Sequence, residues 1–377
     1  MDICDLAPLY RLPPPVVTWY IATAAQAEDN ATHLEIAWKN GLRELADKAV
    51  DAATVDALAA VQQTEDVDSG TRVLVAAGGE IHLDRQLPLP ALDSELWVAP
   101  LPRLLPLIGW LGAHRPHVVV LTDHEGADVI AYPSTGGMPV AEVSEQTGEW
   151  PVHKTGTGGW AAKRFEATVE EGWERSAQRV AALVDDVARR IDPAVVVGSG
   201  DEHAIGLLRE RLPVALQDSF VAVPGGGRHA DGGNAELGRR VAEAVAASAA
   251  QDEVETLERF AEARGRNEGA ADGIRSSVRA LQMAQVDALI VARGMHASER
   301  ELSYGPAATQ LALDDGELSA MAVERPSRTF LVDVAVRAAL GTDADVLVVS
   351  DDTASAPRDG IGALLRFDVA ATRSSAG

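Results

Sequence analysis

Residues 158–200 read GGWAAKRFEATVEEGWERSAQRVAALVDDVARRIDPAVVVGSG. Apolar side chains recur at Phe165, Val169, Trp173, Val180, Val184, Val187 and Ile191, at intervals of three, four and seven. That period gathers them on one face of an α-helix and predicts an amphipathic helix longer than the average of about 11–12 residues. Pro193 ends it, because proline lacks an N–H and clashes with the turn before it. Ala194 to Val197 is a short continuous apolar run, read as a buried strand, and Gly198-Ser199-Gly200 turns it into a further helix over 202–211. Strand alternating with helix is the signature of a parallel-sheet unit, so this stretch predicts an α/β fold.

The same reading extends outward. Downstream, Val214 to Leu216 and Phe220 to Val223 are short strand candidates. Pro224 to Asn234 is a glycine-rich loop, and a long helix runs from about Glu236 towards Arg264. Upstream, 133–160 is rich in glycine and proline and has no period, which marks a boundary or long loop. Nearer the start, Val16 to Ile21 is β-prone, and 33–63 has helical spacing through Ile36, Leu42, Leu45 and Val50. Arg72 to Ala77 and Glu80 to Leu83 form a hairpin through Gly78-Gly79. His117 to Leu121 and Ala127 to Tyr132 read as strand, turn, strand, and are assigned to the first domain. Towards the end, Ile274, Val278, Leu281 and Met283 give a helix, Ala288 to Ala292 a strand, Phe330 to Leu340 a helix and Val346 to Val349 a strand. Gly360 to Phe367 reads as a terminal edge strand or turn. Three α/β domains are expected, over 1–145, 146–262 and 263–377.

Composition narrows the function. The chain has 377 residues, with 46% hydrophobic and 24% charged residues, an ordinary globular balance. Cys4 is the only cysteine, so a disulfide framework and a thiolate-rich zinc site are excluded, and a reducing compartment fits. No run of about 18 apolar residues exists, and the opening MDICDLAPLYRLPPP puts prolines where a signal peptide needs its apolar core. A cytoplasmic protein without a membrane partner is the expectation. The formal charge of −24 argues, on average, against phosphate partners. It is unevenly spread: −13 over 1–145, −7 over 146–262 and −4 over 263–377.

Against that background one loop stands apart. Pro151 to Phe165 contains no acid, yet it holds His153, Lys154, Lys163 and Arg164, including two of the four lysines in the chain. Gly156, Gly158 and Gly159 let the backbone come close to a partner, and Trp160 sits among small residues at the apex. Two readings stand: a phosphate-contacting tip whose Trp160 stacks on a base, or a surface loop whose tryptophan packs back on its own domain. The glycines match neither G-x-G-x-x-G nor the P-loop order. Gly198-Ser199-Gly200, between strand and helix, offers amides to an anion, although such a turn is commonly a plain connection. His114, His117 and His124 lie around one strand but lack metal-ligand spacing, and turn and surface histidines are the expectation. No G-x-S-x-G elbow is present. Arg228-His229, inside the Pro224 to Asn234 loop, is a weaker contact candidate. No cofactor and no metal are expected.

Gly158-Gly159-Trp160-Ala161-Ala162-Lys163-Arg164-Phe165, followed by Glu170-Glu171 and Val180-Ala181 on one long helix, resembles the middle domain of archaeal and eukaryotic peptide chain release factors. That domain carries Gly-Gly-Gln, then Ser-Ala-x-Arg-Phe, then a long helix. Gly273-Ile274, Val286 to Val291 and Gly362 to Arg366 are similar to the third domain of the same family, related to the kink-turn-binding L7Ae fold. Pro151 to Lys154 and Asp123-His124-Glu125-Gly126-Ala127-Asp128 are similar to the bacterial branch, which includes Balon-like ribosome hibernation factors of actinobacterial type. The resemblance implies a three-domain, Pelota-like α/β architecture. It implies a factor that binds the ribosomal A site through His153, Lys154, Gly158, Gly159, Trp160, Lys163 and Arg164, with rRNA and ribosomal proteins as partners. Elongation factor Tu is the candidate delivery partner, and a monomer is expected off the ribosome.

One departure is decisive. Where the family has the glutamine that helps position the attacking water, this chain has Trp160, whose indole offers one N–H donor and no acceptor. The resemblance therefore implies occupancy without peptide release, as in hibernation or ribosome protection, and no catalytic residue. Two alternatives stay open. One is a peptidyl-tRNA ester hydrolase that positions water with another group. The other is an acidic stress module that binds proteins and never touches RNA.

Overall fold

The computed structural model describes all residues except 1–2, 24–29, 49, 63–69, 89–91, 123–125, 147–159, 225–233, 354 and 368–377. The chain divides into two compact units. One is contiguous over 113–251, and the other joins 2–112 with 252–377.

The discontinuous unit begins with a 3-10 helix, Ile3–Arg11. Then come β1 (Val16–Thr23), α1 (Asn30–Asp47), α2 (Ala52–Gln62), β2 (Gly70–Ala77), β3 (Glu80–Leu87), β4 (Glu95–Ala99) and α3 (Leu105–Ala113). The four strands form an antiparallel sheet in the order β3-β2-β1-β4. The β2–β3 hairpin forms as the sequence predicts: Gly78 and Gly79 sit at φ 58° and 84°, the pair of positive angles a tight two-residue turn requires. Strand alternation sends Val17, Trp19 and Ile21 to a core with Trp38, Leu45 and Leu58 from the two helices, while Val16 and Tyr20 point the other way. Trp19 and Trp38 pack with ring centroids 4.8 Å apart. Gly41 makes room for them, since a Cβ there would lie 2.1 Å from the Trp19 ring.

The contiguous unit holds β5 (His117–Thr122), β6 (Gly126–Tyr132), β7 (Ala141–Gln146), α4 (Trp160–Ile191), β8 (Val195–Gly200), α5 (Glu202–Arg211), α6 (Val214–Asp218), β9 (Phe220–Ala222) and the first part of α7 (Asn234–Arg266). Its sheet has the order β7-β6-β5-β8-β9. β5 runs antiparallel to β6 and parallel to β8, with His117 opposite Val195. α4 and α5 cover one face over Val118, Val120, Val129 and Val196. α7 covers the other through Leu237, Val241 and Val245 over Val119, Val195 and Val197. A sheet covered on both faces needs unbroken apolar strands, which explains the runs at 118–121 and 195–197.

This arrangement corrects the expected domain boundary at 145/146. β5 pairs with β8, and β6 and β7 extend the same sheet, so the strands at 117–146 belong with the middle of the chain and not with its beginning. Val214 to Leu216 is helical rather than a strand.

The last part of the chain adds β10 (Ala270–Asp272), α8 (Ile274–Gln282), β11 (Val286–Ala292), β12 (Glu301–Tyr304), β13 (Leu311–Ala312), α9 (Asp315–Ala320), β14 (Ser327–Phe330), α10 (Leu331–Leu340), β15 (Asp345–Val349) and β16 (Ile361–Leu365). The main sheet has the order β10-β16-β11-β15, and β12, β13 and β14 form a small sheet of their own. β16 is therefore interior and not the terminal edge strand expected, because β10 pairs with its outer side. All ten residues of α10 are buried.

Residues 2–112 and 252–377 also share a core. Leu6, Leu9, Tyr10, Leu104, Leu107 and Ile108 pack in one apolar cluster with Leu281, Leu289, Leu331 and Val334. The opposite face of the main sheet closes on Leu257 and Phe260 of α7.

Candidate functional site

The loop singled out by sequence is only partly described: His153, Lys154, Gly158 and Gly159 lie outside the described residues. Trp160 opens α4, and Lys163 and Arg164 follow in its first turns. The first turn contains no acid. A helix N-terminus already carries about half a positive charge from its unpaired N–H groups, and acids usually sit there to offset it. Here Lys163 and Arg164 add to it, a combination favourable to an anionic partner.

The other half of α4 is its anchor. Ala177, Val180, Ala181, Val184, Val187 and Ala188 are buried, at helical spacing. Arg179 pairs with Glu145 at 2.7 Å and Glu174 with Arg211 at 3.5 Å, and the Trp173 and His203 rings meet at 4.7 Å. The helix has 32 residues, or about 48 Å at 1.5 Å per residue. Trp160 thus begins some 25 Å of helix away from Ala177, the first buried residue described in it.

The other candidates fare differently. At Gly200, φ is 132°, and a Cβ would lie 1.8 Å from the Thr122 carbonyl oxygen, so glycine is needed for the two strands to approach. One amide beyond it is already used: the Asp201 carboxylate caps α5 and accepts from the Ala204 N–H at 3.0 Å. This helix start thus carries an anion of its own. His117 is buried and stacked on Tyr132 at 5.2 Å, and burial lowers its pKa. This corrects the expectation of a turn or surface histidine there. His124, Arg228 and His229 lie outside the described residues. Among the described residues, no group of three His, Cys, Asp or Glu is placed to hold a metal ion.

A polar cluster that the sequence reading missed lies in the discontinuous unit. The Arg103 guanidinium sits between the rings of Trp97 and Phe330, 3.8 and 4.0 Å from their centroids. It donates through Nη2 to the His296 carbonyl, and its own backbone N–H donates to Thr18 Oγ1 at 3.1 Å. The Tyr20 hydroxyl donates to the Arg103 carbonyl at 2.8 Å. His296 Nε2 touches Glu95 Oε2, which also accepts from Trp97 Nε1 at 2.8 Å. Asp333 Oδ2 is 3.7 Å from Arg103 Nε, too far for a hydrogen bond, and both side chains are 1% exposed. Among the described residues, neither Asp333 oxygen, nor Arg103 Nε, nor the Tyr10 hydroxyl has a hydrogen-bond partner. Burial pushes the Asp333 carboxyl up to about 8 against the opposing pull of Arg103. One signal was available: Asp333 interrupts an apolar run, Phe330 to Leu340, that a buried helix would need.

Residues 116–266 match the model of bacterial archaeo-eukaryotic release factor family 2. Over 372 residues the chain is 29% identical to Uncharacterized protein Rv2629 of Mycobacterium tuberculosis, covering 94% of this chain and 93% of that protein. Among solved structures it is similar to Archaeoglobus fulgidus Pelota, with 17% identity, 98% of this chain and 93% of that chain covered, and a TM-score of 0.35. Ribosome-bound archaeal Pelota, in a structure with ABCE1, gives 16% identity, coverage of 97% and 94%, and a TM-score of 0.40. The matched segment contains the whole five-stranded sheet, the acid-free turn at Trp160 and the helices on both faces. Residues 116–266 are thus similar to bacterial archaeo-eukaryotic release factor family 2, and the chain has a mixed α/β architecture of several sheets.

Proposed function

We propose that this protein is a ribosome-binding factor that occupies the A site with its Gly-Gly-Trp loop near the peptidyl transferase centre and does not release peptide, as a hibernation or protection factor would. The observation that carries this reading is the start of α4. A tryptophan and two cations fall among the first five residues of a helix with an acid-free first turn, about 25 Å of helix from the buried anchor. In a chain of net charge −24, that end suits phosphate as few other segments do. The family match over 116–266 supports a translational role. The absence of catalysis rests on Trp160. Its single N–H donor cannot both give and accept hydrogen bonds to a water, as a glutamine side chain can. The cations hold phosphate, the glycines let the backbone approach, and Trp160 stacks or wedges against bases. A GTPase such as elongation factor Tu is the proposed delivery partner, and the acidic region 1–145 would face basic ribosomal proteins.

Co-sedimentation tests it. Purified protein is spun with vacant ribosomes and with ribosomes carrying A-site tRNA, alongside a Trp160→Ala, Lys163→Ala, Arg164→Ala triple variant, at two salt concentrations. Binding to vacant ribosomes alone, weakened in the variant and by salt, is the expected result. Absence of binding, with and without an added GTPase, refutes it. Cleavage of peptidyl-tRNA that is lost in Gly159→Val would replace it with the hydrolase reading.

A further inference from the structure

We propose that a proton on Asp333 latches a corner of the interface between residues 2–112 and 252–377. While the carboxyl is neutral, Arg103 stays clamped between Trp97 and Phe330; when the carboxyl ionises, the corner opens to water.

Trp97, Arg103, Tyr10, Tyr20 and Glu95 come from the first part of the chain, and His296, Phe330 and Asp333 from the last. These two parts meet in a single apolar core, so the polar corner is the place where charge is buried within it. The titratable and charged groups around Asp333 are Tyr10 on the 3-10 helix, Tyr20 on β1, Glu95 on β4, Arg103 ahead of α3 and His296 after β11. Among the described residues Arg103 is the cation that pulls on Asp333, and its Nε stands 3.7 Å from the carboxylate without bonding to it. The guanidinium is already engaged by two rings and by the His296 carbonyl. An ionised Asp333 therefore gains attraction from Arg103 but no hydrogen bond, and a buried charge without one is costly. Neutral Asp333 avoids that cost, in line with its raised pKa of about 8.

The folded-state pKa lies above the ordinary carboxyl value of 3.8, so the closed corner holds a proton that the open one releases to solvent. The closed form is at its full advantage at acid pH and loses ground as pH rises, until the carboxyl ionises near pH 8. Between those two values each pH unit shifts the balance tenfold towards the open, hydrated corner, and above pH 8, where both forms are ionised, nothing further is gained. The shift suffices to move a few side chains but not to part the apolar core, so the opening is local.

Trp97 reports it, because it is the ring under Arg103. Acrylamide quenching of full-length protein is measured between about pH 6 and 10, and the Trp97 contribution is taken as the difference from Trp97→Phe. In the wild type, accessibility of Trp97 is expected to rise with a midpoint near 8. Asp333→Asn, neutral and of the same shape, is expected to abolish the transition and stay closed. Arg103→Met removes the cation that lowers the Asp333 pKa, so its midpoint moves to higher pH. A flat wild-type profile overturns the proposal. So does a transition that persists in Asp333→Asn, which would assign it to His296, Glu95 or a tyrosine. If Asp333→Asn fails to fold, Arg103→Met decides: an unmoved or lower midpoint overturns the latch.

Discussion

Replacing Lys163 and Arg164 by glutamine should strengthen the fold and weaken binding at once. Both residues lie in the first turns of α4, where the first turn holds no acid. A cation beside a helix N-terminus opposes the macrodipole at a cost of typically 0.3–1 kcal/mol. Removing two should therefore stabilise the start of α4 by roughly 0.6–2 kcal/mol, which corresponds to amide exchange about 3- to 30-fold slower there. Binding should move the opposite way. Each phosphate left without its cation reduces the log–log salt slope by about 0.7–0.9, so losing both pairings flattens it by about 1.4–1.8. Raising salt from about 50 to about 200 mM would then cost the double variant roughly tenfold less affinity than it costs the wild type. Hydrogen exchange over 160–172 and ribosome co-sedimentation across a salt series read the two effects separately. An unchanged salt slope would refute the phosphate role of these cations, and faster exchange would refute the electrostatic reading of the helix start. Either result alone is informative, because a merely damaged fold would accelerate exchange.

Three further outcomes follow from packing. Gly41→Ala puts a Cβ 2.1 Å from the Trp19 ring, and overpacking of this kind costs about 1–3 kcal/mol, read as a lower urea midpoint. Asp201→Ala removes the cap on the Ala204 N–H and should cost about 1 kcal/mol while leaving ribosome binding intact, since the turn holds its own anion. A Cβ on Gly362 would lie 2.8 Å from the Phe260 ring and 2.7 Å from Pro357. Gly362→Ala should therefore destabilise, and Phe260→Leu should recover part of the loss. A double-mutant cycle that is additive within about 0.5 kcal/mol would show that the ring is not what the methyl meets.

The parts of this fold that were legible in the sequence are those set by local period. α4, α7, α8, α10 and the β2–β3 hairpin follow from apolar spacing and from Gly78-Gly79. Sheet membership was not legible, because it is decided far along the chain. β5 and β6 form a hairpin that looks self-sufficient, yet β5's other neighbour, β8, begins at Val195. β16 is made interior by β10, nearly a hundred residues earlier. The small sheet β12–β14 escaped because strands of two to four residues carry no measurable period. The candidate site was legible as chemistry, through acid-free sequence and clustered cations. The Arg103–Asp333 corner joins residues 230 positions apart, and only the odd acid in an apolar helix hinted at it.

The shared core of 2–112 and 252–377 has a consequence for synthesis. A ribosome emits the first 112 residues with Leu6, Tyr10, Leu104 and Ile108 lacking the surface they are built to cover. Their partners lie beyond an intervening segment of about 140 residues, which at 5–20 residues per second takes on the order of ten seconds to make. The contiguous segment 113–251 can complete its own sheet in that interval, while the older amino-terminal segment waits with that surface uncovered. A message truncated before Leu331 would leave that segment without much of its partner surface, a target for chaperones and proteases rather than a shorter working protein.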